Sequence, residues 1–360
     1  MSNTSDFHGP SGSDQANTLR QPRPPLRRSQ GTSTGPGSEP VHRSNDQDRG
    51  RHAEKPSDIP ARGWKDILWR VYENINNHRV MSVAAGVAFY VLLALFPGIA
   101  ALVSLYGLFA DPTVISQHLA DLSGVIPEGA TQVIGDQLKN LTSHGTSTLG
   151  ATFLLTLAIS LWSANSGMKA MFDALNVVYG EREKRSFIKL NALSLAFTLC
   201  AIAFMLIALG AMVVLPVVLN YIGLSSIGEW VIRIGRWPAL LVIVSLAIAV
   251  LYRYGPSRDE AQWRWITGGS AFAAVTWLVV SFLFSYYTSH FGSYNKTYGS
   301  LGAVFGFMTW IWLSVMVILL GAELDAEMEH QTVRDTTSGS PKPMGQRGAR
   351  MADTVGASRA

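Results

Sequence analysis

Polar side chains recur at helical spacing at the end of the second long apolar segment of the chain. Five of them lie at every third or fourth position and therefore share one helix face: Trp162, Asn165, Lys169, Asp173 and Asn176. The spacing of Lys169 and Asp173 predicts an ion pair. Because a polar group inside a membrane is costly unless it faces protein or water, we interpret this face, without Trp162, as a polar path that opens toward the cytoplasm. In the alternative interpretation, the ion pair lies at the membrane surface and Asn165 only forms a hydrogen bond with a neighbouring helix.

Two carboxylates at the end of the last apolar segment extend this candidate path. Glu323 and Glu327 are one helical turn apart on a common face, whereas Asp325 points elsewhere. Acidic groups at a helix C-terminus oppose the helix dipole, so we expect a cationic partner. The candidate partners are Lys169, Arg182 and Arg185. One interpretation is an interhelical salt bridge, and the other is a proton-coupling carboxyl group at Glu323.

Motifs for catalysis and metal binding are missing from the sequence. It contains no phosphate-binding loop, no Gly-x-Ser-x-Gly motif and no His-Glu-x-x-His motif. Cys200 is the only cysteine, so an intramolecular disulfide and a multi-cysteine metal site are excluded. We therefore predict no catalytic residue, no metal site and no cofactor, and we do not expect an enzyme.

The elements that carry these residues are six long segments without Asp, Glu, Lys or Arg. They cover residues 80–110, 140–168, 190–228, 237–252, 265–295 and 297–322. A helix needs about 20 apolar residues to cross the hydrocarbon core of a bilayer. The sequence therefore predicts an all-α polytopic membrane protein with six transmembrane helices.

The distribution of Lys and Arg predicts the orientation of these spans. With both chain ends placed in the cytoplasm, 25 of the 29 Lys and Arg residues lie on the cytoplasmic side. This bias follows the positive-inside rule. It also explains the net charge of +4, so we expect no nucleic acid partner.

The loop after the first segment has a helical pattern of its own. Apolar residues recur at helical spacing over 115–126 and again over 130–141, with Pro127 and Gly129 between the two runs. We predict two amphipathic helices on the outer face of the membrane. Two roles remain open for these helices. They either form a lid that covers the bundle, or they form a gate or a lipid-contacting surface.

The two ends of the chain are polar. Residues 1–60 and 331–360 contain few large apolar side chains, so both are predicted to be disordered cytoplasmic tails.

Small residues and prolines inside the segments predict helix packing and kinks. Gly302 and Gly306 form a Gly-x-x-x-Gly motif that permits two helices to approach closely. Pro97 and Pro216 remove helical hydrogen bonds and are expected to kink or end their helices.

Three groups of residues resemble the YihY/BrkB family of bacterial inner-membrane proteins. They are AAGVAFYVLLALFP at 84–97, LWSANSGMKA with ALNVVY at 161–179, and YGSLGAV at 298–304 with GAELDAE at 321–327. The resemblance covers residues 64–330 and implies a six-span domain in the inner membrane. It also implies links to serum resistance and to export of envelope lipids or other solutes. A former ribonuclease label of the family is regarded as mistaken, and the resemblance supplies no catalytic residue.

These observations predict transport or export of a lipid or an amphipathic envelope solute. The alternatives are a membrane scaffold for envelope partners and, last, an intramembrane hydrolase. Membrane lipids are the expected partners, and the sequence predicts no oligomeric state.

Overall fold

A computed structural model describes residues 49–107, 149–222, 226–291 and 300–359. Within these residues the chain is helical, and the only strand-like pairing is one isolated bridge between Ala261 and Thr337. The tail up to residue 48 and the amphipathic helices predicted over 115–126 and 130–141 lie outside the described residues.

In the described part of the chain, six long helices each overlap one of the six apolar segments, and two shorter helices flank them. The helices are α1 (Ala61–Asn77), α2 (Val80–Gly107), α3 (Leu149–Val178), α4 (Phe187–Ile222), α5 (Ser226–Tyr254), α6 (Trp263–Phe291), α7 (Ser300–Glu329) and the short α8 (Arg350–Asp353). A 3₁₀ turn at Pro56–Asp58 precedes α1. Both α3 and α7 extend beyond the charged residue that follows their apolar segment. A charged side chain ends the apolar segment, but it leaves the hydrogen bonds of the helix backbone intact.

Four helices of the described chain have the length and apolar composition of a membrane span. These spans are Val80–Gly98, Phe187–Phe204, Trp263–Thr288 and Val304–Glu329, with a shorter apolar stretch at Leu241–Tyr254. Only 22% to 28% of the residues in each span are buried within the protein. Large apolar side chains such as Phe96, Ile207 and Phe282 face outward, as expected for lipid contact. The chain is thus a multi-pass helical membrane protein, and the number of six spans stays a prediction.

The long helices pack in the spatial order α4, α3, α2, α7, α6, α5. Among the described residues, their shared core lies near one end of the bundle and includes Ala84, Leu175, Tyr252, Ile266 and Leu319, from five different helices. We call this end the charged end. It is formed by α1 and by residues 179–186, 255–262 and 330–359.

Glycines allow the closest helix approaches, at positions other than those predicted. A Cβ atom on Gly167 of α3 would lie 3.3 Å from the Cα atom of Val91 in α2. A Cβ atom on Gly321 of α7 would lie 2.7 Å from the carbonyl oxygen of Gly269 in α6. Among the described residues, a Cβ atom on Gly306 would meet nothing within 4 Å, so close packing at Gly306 stays a prediction. A small residue permits a close contact only where another helix is present.

The remaining predicted packing positions lie inside helices. Gly302 is in the first turn of α7, as part of Ser300–Glu329. Pro97 lies inside α2 and Pro216 inside α4, and both helices continue beyond them. Neither proline ends its helix, and kinking at these positions stays a prediction.

The segment from 331 to 359 differs from the disordered tail expected from its composition. Gln331, Thr332 and Ala352 are fully buried against the rest of the protein. Arg347 donates hydrogen bonds to the carbonyl oxygens of Val333 (2.8 Å) and Ala352 (2.6 Å). The segment is thus held mainly by buried polar groups, which a count of large apolar side chains does not detect.

Candidate functional site

Asn165 joins two neighbouring helices. Its side chain is buried in α3, and its Oδ1 atom accepts a hydrogen bond from Thr198 Oγ1 of α4 at 3.3 Å. This contact matches the interpretation in which Asn165 bonds a neighbouring helix.

Lys169 faces α4 at the surface of the bundle. Its ammonium group donates to Asn191 Oδ1 at 3.1 Å and lies 5.1 Å from the ring centre of Trp162. The structure has no salt bridge between Lys169 and the exposed Asp173 among the described residues, so the predicted pair is wrong. The amide of Asn191 accepts the hydrogen bond of the lysine instead, because α4 packs beside this face of α3.

Asn176 belongs to a separate network at the charged end. Its Oδ1 atom accepts a hydrogen bond from the backbone N–H of Ser257 at 2.7 Å, and its Nδ2 atom donates to Glu183 at 3.1 Å. Arg185 also donates to Glu183, and this hydrogen bond is the main reason that the pKa of Glu183 is lowered to about 2. Asn176 therefore ties α3 to two connecting segments.

Glu323 and Glu327 both face α1, which the sequence interpretation had not considered. Glu323 Oε1 lies 2.5 Å from His78 Nδ1. Glu327 pairs with Arg70 and accepts a hydrogen bond from Asn74 Nδ2 at 2.8 Å. The predicted partners Lys169, Arg182 and Arg185 are wrong, because α1 lies against the last turns of α7. The hydrogen bond to Glu323 raises the pKa of His78 above its ordinary value.

An ion pair that sequence analysis did not find is the most deeply buried of the described part. Both side chains of Arg258 and Glu329 are 0% exposed, with two N–H···O contacts at 2.8 Å and 2.9 Å. The guanidinium group of Arg258 also lies 4.1 Å from the ring centre of Tyr179. Thr336 Oγ1 donates to Glu329 at 3.0 Å, so this pair also holds the C-terminal segment. No local spacing indicates the pair, because its members are 71 residues apart in sequence.

Asp325 links the two helices that cross at the close glycine contact. It is fully buried, and its Oδ1 atom accepts a hydrogen bond from the backbone N–H of Gly269 at 2.7 Å. The side chain therefore points toward α6, away from the face that Glu323 and Glu327 share.

The structure does not bring the candidate path residues together at one place. Asn165 and Lys169 face α4, Asn176 faces the connecting segments, and the two glutamates face α1.

Two cavities of about 600 and 660 Å³ lie at the charged end. Neither is lined by a residue of the candidate path. Within the described ranges, no three His, Cys, Asp or Glu side chains are close enough to bind a metal ion.

Comparison with known proteins gives one family match. Residues 71–345 match the family model described as virulence factor BrkB. A Bacillus subtilis protein, YfkH, whose name describes it as ribonuclease-like, is 30% identical over 72% of this chain and 94% of its own length.

Two further relatives are described as UPF0761 membrane proteins. That of Pseudoalteromonas atlantica is 26% identical over 74% of this chain and 90% of its own length. That of Nitrosospira multiformis is 24% identical over 75% of this chain, which spans only 62% of that relative. No solved structure matches the chain.

Proposed function

The chain belongs to the virulence factor BrkB family of membrane proteins, and we propose that it transports a lipid or an amphipathic envelope solute. The site of contact with the solute is the polar surface shared by α3 and α4, defined by Lys169, Asp173 and Asn191. The solute carries an anionic or polar headgroup that interacts with Lys169.

The observation that carries this proposal is an amphiphilic surface beside the apolar spans. Lys169 is partly exposed and Asp173 is exposed, while the neighbouring side chains of Trp162, Phe187 and Ile188 are large, apolar and exposed. A charged group next to lipid-facing residues is costly unless water or a polar ligand reaches it. An amphipathic molecule satisfies both parts of this surface, since its headgroup meets the polar residues and its chains stay in the lipid.

The proposed topology has six spans in the bacterial inner membrane, with both described chain ends in the cytoplasm. It is tested with Ser57→Cys and Ser340→Cys, each in a Cys200→Ser background, since both serines are exposed. A membrane-impermeant maleimide should label both cysteines only after the cells are opened. Labelling of either cysteine in intact cells would contradict the proposed orientation.

Transport is tested with purified protein in vesicles that contain a fluorescent phospholipid with an anionic headgroup. Accessibility of the probe to an external quencher measures its movement between leaflets, with and without an imposed pH gradient. The wild-type protein should accelerate this movement, and Lys169→Met should slow it about fivefold because one interfacial cation contributes on the order of 1 kcal/mol. The matched control is Lys189→Met, which removes an exposed cation near the start of α4.

Two outcomes of the vesicle assay count against the proposal. Wild-type vesicles that behave like protein-free vesicles argue against lipid movement. Equal rates for the Lys169 and Lys189 variants argue against the α3–α4 surface as the site.

A non-transporting scaffold is the second candidate function. It is favoured by the hydrogen bonds that fix Asn176, Glu323 and Glu327 within the protein, which leave these groups to hold helices together. Deletion of residues 110–148 with the spans retained distinguishes the two functions. A scaffold should lose its envelope partners on cross-linking, whereas a transporter should keep lipid movement in vesicles.

A further inference from the structure

The outward face of α1 combines large apolar side chains with a lysine. The opposite face of this helix is buried and contains Ile67 and Arg70. On the outward face Lys65 is exposed, Leu68 is 57% exposed and Tyr72 is 60% exposed. An amphipathic helix with apolar and basic residues together is typical of a segment that lies in a membrane interface.

The position of α1 places this face at the boundary of the membrane. Only two residues separate the end of α1 from Val80, where the first apolar span begins. The inward face of α1 packs against the last turns of α7, through the contacts of His78 with Glu323 and of Arg70 with Glu327. The helix therefore lies where the apolar spans end, which is the headgroup level at which Trp and Tyr side chains concentrate.

A cavity of about 600 Å³ opens on this face. Its walls are Ala61, Trp64, Lys65, Leu68, Trp69 and Arg359. The cavity therefore combines apolar and aromatic walls with two cationic side chains.

The second cation is held in place by several contacts. The guanidinium group of Arg359 lies 3.3 Å from the ring centre of Trp69. The backbone N–H of Arg359 donates to Asp66 at 3.2 Å, and its carbonyl oxygen accepts from Arg49 at 2.9 Å. Because this side chain is already ordered, less conformational entropy is lost when the cavity binds a charged ligand.

The acidic groups beside the cavity have their own partners. Asp66 pairs with Arg49 at 2.8 Å, and Glu73 accepts a hydrogen bond from Trp69 Nε1 at 2.8 Å. The charge that the cavity presents is thus positive, since Lys65 and Arg359 are the only ionisable residues among the described residues that line it.

We propose that this cavity binds the headgroup of an anionic phospholipid from the adjoining leaflet. The phosphate lies between Lys65 and Arg359, and the glycerol and upper acyl chains contact Trp64, Leu68 and Trp69. The headgroup of phosphatidylcholine is zwitterionic, and its trimethylammonium group would be repelled by this pair of cations. The site is separate from the α3–α4 surface and does not depend on the transport function.

The test measures phosphatidylglycerol binding to the full-length protein in detergent, by native mass spectrometry over a lipid titration. The variant is Lys65→Gln with Arg359→Gln. The matched control is Lys55→Gln with Arg334→Gln, which removes two exposed cations elsewhere at the charged end. We expect phosphatidylglycerol binding about thirtyfold weaker in the first variant and unchanged in the control, because each of the two interfacial cations contributes on the order of 1 kcal/mol.

A second measurement locates the lipid and keeps the test valid if the double variant is unstable. Trp64→Phe and Trp69→Phe keep apolar side chains in place. Brominated phosphatidylglycerol should quench the fluorescence of the wild-type protein more than that of the Trp64→Phe variant or the Trp69→Phe variant, measured in mixed micelles.

Three results overturn the proposal. One is that the variant with Lys65→Gln and Arg359→Gln binds phosphatidylglycerol with the same affinity as the matched control. Another is equal binding of phosphatidylcholine and phosphatidylglycerol to the wild-type protein. The third is displacement of the lipid by millimolar glycerol phosphate, which would assign the cavity to a soluble phosphate ligand.

Discussion

At the scale of single residues, buried ion pairs attach α7 to segments far away in the sequence. Glu327 pairs with Arg70 of α1, and Glu329 pairs with Arg258 of the connection before α6. Burying two charges away from water is costly. Substitution of only one member of such a pair lowers the stability of the protein by about 3–5 kcal/mol, because the other charge stays buried without its partner. These carboxylates thus have a structural role at the charged end.

The contact between His78 and Glu323 predicts a dependence of stability on pH. Because the hydrogen bond to Glu323 raises the pKa of His78 in the folded protein, the stabilisation is fully present below the unfolded pKa of about 6.5. It is lost as the pH rises through the higher folded pKa. The thermal unfolding temperature in detergent should therefore fall as the pH rises above about 6.5 and through the raised pKa of His78.

The control for this pH dependence is His78→Asn, which removes the titrating group. It should flatten the pH profile while lowering the unfolding temperature at acidic pH. A profile of unchanged slope in His78→Asn would assign the pH dependence to other groups.

At the scale of helices, packing depends on where small residues meet another helix. In α6, a Cβ atom on Gly269 would lie 2.5 Å from Asp325 Cγ of α7. In α7, no described residue lies within 4 Å of a Cβ atom on Gly306, although this glycine belongs to the more recognisable sequence motif.

Alanine substitutions at these two glycines should therefore have opposite effects. Gly269→Ala should lower the unfolding temperature, since overpacking costs about 1–3 kcal/mol. Gly306→Ala should leave it unchanged or raise it, because alanine has the higher helix propensity by about 1 kcal/mol. The unfolding temperatures of both variants in the same detergent check the prediction. An unchanged unfolding temperature in Gly269→Ala would contradict the close crossing of α6 and α7, and an equal loss in Gly306→Ala would mean that Gly306 also packs against another helix.

At the scale of the whole molecule, residues 330–359 close the charged end. They contact the start of the described chain through the hydrogen bond from the backbone N–H of Val333 to Arg51, at 2.8 Å. They also pair with the segment before α6 where the backbone N–H of Gln262 donates to Thr336 at 2.8 Å. The C-terminal segment is therefore part of the folded unit.

Because Arg347 donates hydrogen bonds within the C-terminal segment, we predict that the segment needs this side chain to stay packed. Arg347→Met removes buried hydrogen bonds from a charged group and should destabilise the segment by about 2–4 kcal/mol. Increased proteolytic cleavage between residues 333 and 359 of the detergent-solubilised protein is the measurement.

The matched control for Arg347→Met is Arg334→Met in the same segment. Arg334 has a side chain that is 59% exposed, and its removal should leave the cleavage rate unchanged. Equal cleavage of both variants would contradict the anchoring role of Arg347.

The helical membrane architecture and the family are both recognisable from the order of the amino acids alone. A charged side chain is costly wherever it lies in the hydrocarbon core, so the segments without charge indicate the positions of the six long helices. Most of the helix ends lie within several residues of a segment end. The polar residues of α3 and α7 were also recognisable, because helical periodicity depends only on neighbouring positions.

Which polar groups meet depends on long-range contacts in the folded chain. His78, Arg70 and Arg258 reach their carboxylates from segments 71 to 257 residues away, and the ordered C-terminal segment depends on the same long-range contacts. Composition does not record such pairings, since a buried hydrogen bond requires both partners at one place in the folded chain. For the same reason, the cavity on α1 becomes visible only when Arg359 is placed over Trp69.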